Sequence, residues 1–303
     1  MKRFYIHGAA VGAMLLFGLT FVWTKIVFKY YGPITTIFVR LLLSFIILNV
    51  LSFFLKKNQK INRKDILPFA ISALASPFFY FYFENYGLEL VSPTIAAIIV
   101  ATIPLFSPLA GYIFMKEKLS LLNISGLLLS TAGIGVMMID KNLNFQADPK
   151  GVLLLFGAVA AAIWYSVATK KLSERYNTIT IVKMQNIISF FYFMPFFFVK
   201  EYQQFISVVP TTELIVTMLE LALFASAIAF ILFTYALKNL GVGKSNLYSN
   251  LIPVFTAIFS FFMIGEQFSM DKVLGMFIVL VGLMLSQGSL NFSFMNKKVK
   301  KVS

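Results

Sequence analysis

Arg40, Glu84 and Glu220 stand in stretches that carry almost no other charge. An ionised side chain in apolar surroundings costs roughly 3 kcal/mol to place. Arg40 closes "YGPITTIFVR" (31–40), seven residues after Pro33 and so about 10 Å into a helix at 1.5 Å per residue. Its guanidinium offers a fork of donors to a carboxylate. The same group also suits pairing with a neighbouring acid, or reaching out to lipid headgroups. Glu84 lies in "PFFYFYFENYGL", one helical turn after Tyr80 and on the same face. A carboxylate there suits a substrate ammonium or a coupling proton, and it also suits a partner for Arg40 or a solvated helix end. Glu220 has the same two options, a binding group or an outer-vestibule residue.

Uncharged polar side chains form two further groups. Gln185 and Asn186 stand between Lys183 and Ser189. Amides in a bilayer need partners, so they bind solute or tie their helix to a neighbour. Asn246, Ser249, Asn250 and Pro253 recur at i, i+3, i+4 and i+7, one face of an α-helix. The matching positions earlier in the chain are Ala97, Val100, Ala101 and Pro104, which are nearly all apolar. Pro104 and Pro253 each remove a backbone hydrogen bond and are hinge candidates. Trp164, with Tyr165 and Trp23, is an aromatic candidate for lining a cavity and attracting a cation. Gly8 and Gly12 form a GxxxG pair suited to close helix packing. Glu117 and Glu266 are expected to start and cap the last helix of each half.

The elements that hold these residues follow from composition. Of 303 residues 59% are hydrophobic and 13% charged, with a mean hydropathy of +0.84. A water-soluble domain has about 25% charged residues, so the solvent for most of this chain is lipid. A helical crossing needs roughly 20 apolar residues. Runs of that kind fall at 4–24, 33–55, 66–88, 94–115, 119–139, 151–169, 178–199, 214–236, 245–264 and 273–290. Lipid offers no partner to backbone groups, which leaves helices. The first run lacks a small-residue cleavage site and reads as an uncleaved span. With the N-terminus inside, inner segments hold 18 of the 26 Lys and Arg and outer segments six. That bias places both termini in the cytoplasm and the protein in the inner or plasma membrane. The net charge of +14 is thereby a topology signal and not a nucleic-acid footprint.

The chain writes one phrase twice. "IPLF" and "KEKLS" at 103–106 and 116–120 recur as "IPVF" and "GEQFS" at 252–255 and 265–269. Tyr86 falls on Tyr235, Gly126 on Gly275 and Gly133 on Gly282; upstream, Tyr31 falls on Tyr176 and Arg40 on Gln185. Five spans per unit is odd, so the second unit enters from the opposite side. The expected fold is an all-α integral membrane protein with ten transmembrane helices in two inverted five-helix repeats. The first repeat covers 1–145 and the second 146–292; a basic cytoplasmic tail covers 293–303. Inverted repeats underlie alternating access in many secondary transporters, with the substrate near midplane.

"FGLTFVWTK" (17–25), "YGPITTIFVR" (31–40), the paired IP[LV]F…E phrases and "AAIWYSVATKK" (161–171), in this order over 5–290, resemble the EamA type of the drug/metabolite transporter superfamily. The resemblance implies export of amino acids or related metabolites through a central cavity lined by both halves, with the fifth and tenth helices at the periphery. Catalysis is not expected. The one histidine is His7, cysteine is absent, and neither HExxH nor GxSxG occurs. "GVGKS" (241–245) lacks the first P-loop glycine, whose place is taken by Lys238. No cofactor or metal is expected, and the partners are a small-molecule substrate, the bilayer and, as a candidate coupling ion, the proton. A lipid-linked-substrate flippase or a passive channel of similar architecture is the alternative.

Overall fold

The computed structural model describes residues 2–106, 121–138 and 147–299. Among these the chain runs through ten helical stretches: α1 Lys2–Val27, α2 Pro33–Phe54, α3 Arg63–Leu90, α4 Pro93–Phe106, α5 Leu121–Met138, α6 Pro149–Ser173, α7 Thr178–Ser207, α8 Thr212–Leu240, α9 Val242–Ile264 and α10 Met270–Val299. Seven of the described stretches (α1, α2, α3, α6, α7, α8 and α9) are long and apolar enough to cross a membrane. The protein is an all-helical membrane protein. Helix starts follow local chemistry. Pro33, Pro93 and Pro149 occupy first turns, where a missing N–H costs nothing. Asp148, Asn177 and Thr211 cap α6, α7 and α8 through their side chains.

Packing repeats itself between the halves. α1 lies against α8 and α9, as α6 lies against α3 and α4; α2 contacts α7 and α8, as α7 contacts α2 and α3. α5 and α10 pack on each other. Gly133 meets Gly275, Ser130 Oγ donates to Val279 O at 3.1 Å, and Gly282 meets Gly126. One partner's number rises as the other's falls, so the two helices run antiparallel. A Cβ on Gly133 would stand 2.8 Å from Gly275 O, which only glycine permits. The GxxxG expectation does not hold in this way: Gly8 faces open space and Gly12 meets only Leu232 at 3.5 Å. The tight approach on α1 is Gly18, beside Phe255 and Thr256 of α9.

Three helices carry wide, π-type turns: Leu74–Phe79 in α3, Phe197–Glu201 in α7 and Leu221–Ala229 in α8. Those in α3 and α8 fall at matching places in the two halves. In α3, Ser76 leaves helical geometry ahead of Pro77. A wide turn frees carbonyls from the α-helical ladder, and α7 side chains bind in these regions. Ser189 Oγ donates to Ala73 O at 3.0 Å and Asn186 Nδ2 to Ser226 O at 3.2 Å.

Ends are tied across the halves. Glu201, at the end of the wide turn in α7, accepts from the first amides of α2, Ile34 N at 3.1 Å and Thr35 N at 2.6 Å. At the other face, Asp65 accepts from Tyr176 Oη at 2.7 Å and Arg175 Nη1 at 2.8 Å, beside the start of α7. Lys25 Nζ donates to three carbonyls at the end of α3, Leu88 (2.8 Å), Glu89 (3.2 Å) and Val91 (3.0 Å). Lys170 Nζ donates to one at the end of α8, Lys238 O at 3.0 Å. The dipeptides Thr24-Lys25 and Thr169-Lys170 share the register of Tyr31 and Tyr176, so these two contacts are counterparts.

Two expectations at helix ends are corrected. Glu266 does not cap the last helix, because α10 begins at Met270 and Ser269 Oγ accepts from Lys272 N at 3.3 Å. The Glu266 carboxylate instead accepts from Thr94 Oγ1 on α4 at 2.8 Å and lies 3.7 Å from Lys272 Nζ. Glu117 lies outside the described residues. Part of the stretch read as a tail is helical, since α10 continues through Val299.

Candidate functional site

Where α1 and α9 begin and α6 and α8 end, the helices part around a narrow chamber. Both halves build it: Met14 and Phe17 from α1, Ser76 and Tyr80 from α3, Val100 and Ile103 from α4, Ala162, Tyr165 and Ser166 from α6, Phe230 and Phe233 from α8, and Asn246, Ser249 and Ile252 from α9. The opposite end of the bundle is filled. Val22, Trp23, Ile26, Val27 and Tyr31 pack there on Leu214, Met218, Leu221 and Ala225. His7 Nδ1 and Tyr248 Oη hydrogen-bond, joining α1 to α9.

The walls are aromatic and aliphatic with a few aimed polar atoms. Ser166 Oγ lies 2.9 Å from Ala162 O and 3.2 Å from Asn246 Oδ1. Ser249 Oγ donates to Asn246 O at 2.7 Å. Asn246 Nδ2 and Ser76 Oγ are buried and have no partner among the described residues. Buried polar atoms are almost always hydrogen-bonded, so these two are open valences on the chamber wall.

A buried charge pair stands behind Tyr80. Its hydroxyl donates to Glu84 Oε1 at 2.7 Å. Arg40, 1% exposed, donates from Nε to Ser226 Oγ at 2.8 Å and lies with Cζ 4.0 Å above the Phe81 ring. Nη1 of Arg40 has no partner among the described residues. Arg40 and Glu84 are both buried and oppositely charged, yet they form no ion pair within 4.0 Å. Neither lines the chamber; Tyr80 connects them to it.

The remaining candidates spread out. Gln185 Nε2 donates to Ser72 Oγ at 2.7 Å and Thr169 Oγ1 at 3.0 Å, and Tyr165 Oη lies 3.5 Å from its Oε1. Asn186 Nδ2 also donates to Ser44 Oγ at 2.8 Å. Both amides tie α7 to its neighbours, and neither lines the chamber. Trp164 is 41% exposed beside Phe79 on the outer surface, while the adjacent Tyr165 points inward. Glu220 is half-buried, away from the chamber, just before the wide turns of α8. Sequence reasoning missed Ser76, Ser166 and Ser226. Single serines in apolar helices carry no pattern that marks them.

The polar stripe on α9 departs from the expected face for a geometric reason. Tyr248–Leu251 forms a 3₁₀ turn, so side chains line up every three residues. Asn246, Ser249 and Ile252 therefore face the chamber, and Asn250 and Pro253 do not. Pro253 is the second residue of the α-helical restart at Ile252, after that turn. Pro104 is likewise second in a restart at 103, after a turn at 101–102. Each proline begins a new segment where its missing N–H costs little, and neither kinks a continuous helix.

A polytopic helical bundle with an internal chamber is an architecture that membrane transport proteins use. The profile of the EamA-like transporter family matches residues 5–139 and 149–287, so the chain belongs to that family and is a membrane transporter. It is similar to an uncharacterized transporter of Archaeoglobus fulgidus, 25% identical and covering 90% of this chain and 94% of that one. It is also similar to the uncharacterized transporter YetK of Bacillus subtilis, 22% identical over 94% of this chain and 87% of the other. A solved crystal structure shares the fold with a TM-score of 0.68 at 18% identity, covering 92% of this chain and 94% of that one.

Proposed function

We propose that the protein is a secondary active transporter that exports amino acids or related amphipathic metabolites by alternating access of two inverted halves. The observation that carries this is the chamber itself. Both halves line it, one end of the bundle is closed over it, and a buried Arg40–Glu84 pair stands one tyrosine away. The antiparallel run of α5 and α10, counterparts in the repeat, supports opposed orientation of the halves. Aromatic walls suit an apolar side chain, and the open valences of Asn246 and Ser76 suit a polar head group. Both termini lie in the cytoplasm of a cell whose inner or plasma membrane holds the chain, and the chamber then faces the cytoplasm. Glu84 is the group placed to exchange a proton against solute.

Counterflow in vesicles tests this reading. Purified protein, loaded with an unlabelled neutral amino acid such as leucine or threonine, takes up the labelled compound transiently above equilibrium. Linear flux that neither saturates nor responds to solute on the far side contradicts a transporter and indicates a channel.

A further inference from the structure

We propose that Glu84, shut away from the present chamber, lines a second chamber that opens at the opposite face when the halves exchange shapes, and is the group that binds a cation there. The proposal rests on the alternating-access reading and adds the residues of the state not seen here. Two registers define the exchange. Thr24-Lys25 and Tyr31 fall on Thr169-Lys170 and Tyr176 for the first two helices of each half. For the last three, Ser130 falls on Val279, 149 residues away, and these two touch.

Applied to the chamber wall, these registers give a partial self-match. Phe17 and Ala162 map onto each other, as do Val100 and Ser249, and Ile103 and Ile252. All six line the chamber already, so the axis relating the halves passes through it. Other lining residues map elsewhere. Ser76 maps to Ala225, Tyr165 to Thr20, Ser166 to Phe21, Phe230 to Phe81, Asn246 to Ala97, and Phe233 to Glu84. Each of these six images is at most 5% exposed in this structure. Their burial is what a mirrored chamber that is closed in this state requires.

The two chambers differ in chemistry. The present wall carries no Asp, Glu, Lys or Arg among the described residues. The mirrored wall exchanges an aromatic ring at 233 for the carboxylate of Glu84. Tyr80 now stands between Glu84 and the chamber, whereas Phe233, the image of Glu84, lines the chamber directly, and that wall position is the one Glu84 takes in the mirrored state. A solute therefore meets a neutral wall at one face and an acid at the other. A carboxylate in that setting recognises an ammonium group, with the proton as competitor.

The chain contains no cysteine, so single-cysteine variants report cleanly. A charged, membrane-impermeant maleimide is applied to either face of vesicles of known orientation. Asn246→Cys is expected to react from one face, and Ala97→Cys and Ala225→Cys from the other. Adding Lys25→Ala, which releases the end of α3, is expected to raise the second pair's rate about thirtyfold. Ala73→Cys is equally buried but maps outside the mirrored wall, and stays silent. Ala97→Cys and Ala225→Cys silent in both backgrounds, or reactive from the same face as Asn246→Cys, overturns the proposal. Counterflow on the same vesicles separates the failures. Saturable exchange with both positions silent removes only the mirrored chamber; linear flux removes the transport reading beneath it. In Glu84→Cys, reaction from the Ala97 face supports the assignment of the acid itself, and reaction from the Asn246 face contradicts it.

Discussion

Arg40→Met is expected to lower stability and to stop transport, and adding Glu84→Gln is expected to return the first without the second. Arg40 is fully enclosed, holds Ser226 on α8, and compensates Glu84 on α3 at longer than ion-pair distance. Removing it leaves a buried carboxylate that accepts a hydrogen bond from the Tyr80 hydroxyl and has no cation beside it among the described residues. Stranding a buried charge in this way costs about 3 kcal/mol. Glu84→Gln removes the stranded charge and keeps an oxygen for Tyr80, so thermal unfolding of the double variant returns toward that of the parent. Transport does not return, because the charged groups nearest the solute are gone. A loss of about 3 kcal/mol of differential binding corresponds to about a hundredfold in rate. A double variant that transports like the parent assigns the pair to structure alone.

Lys25→Ala is expected to shift the resting conformation, and Lys170→Ala to leave it nearly unchanged. Lys25 Nζ holds three carbonyls at the end of α3, where its counterpart Lys170 holds one at the end of α8. Surrounding charge adds to the asymmetry. Glu89 stands beside Lys25, and the residue in its place at the other latch is Lys238, a like charge. The stronger latch is therefore at the closed end and the weaker at the chamber end. Losing charge-assisted bonds of this kind is worth about 2 kcal/mol, or roughly thirtyfold in population. Spin labels at Lys29 and Leu90, both exposed, report the separation of α1 from the end of α3. The distance lengthens in Lys25→Ala. Lys238→Glu strengthens the opposite latch and moves the distance in the same direction. No change in either variant shows that these lysines are helix caps and nothing more.

The architecture was legible in the sequence because a bilayer imposes it. Long apolar runs separated by charge placed every described helix within a few residues at most ends, and the glycines that recur with the doubled phrase, Gly126, Gly133, Gly275 and Gly282, lie where α5 and α10 meet. The site was legible only in part. Arg40, Tyr80 and Glu84 announced themselves because charge in lipid needs a reason, and they do stand together. The chamber wall did not, because its direction depends on local departures from the α-helix. The 3₁₀ turn at Tyr248–Leu251 turned Asn250 away, and one step along α6 put Tyr165 inside and Trp164 outside. Gln185 and Asn186 left two readings open from sequence. The carbonyl exposed by the wide turn of α8, and the hydroxyls of Ser72, Thr169 and Ser44, supply the partners that no linear pattern shows.

Opposed orientation of the two halves is the premise on which the chamber, the latches and the mirrored wall all depend. Single cysteines at Lys118 and Gln267, in the two copies of the repeated phrase, test it directly with an impermeant thiol reagent on intact cells and on inverted vesicles. Labelling of Gln267→Cys from outside and of Lys118→Cys from the cytoplasmic side is the predicted result. Labelling of both from one side contradicts it.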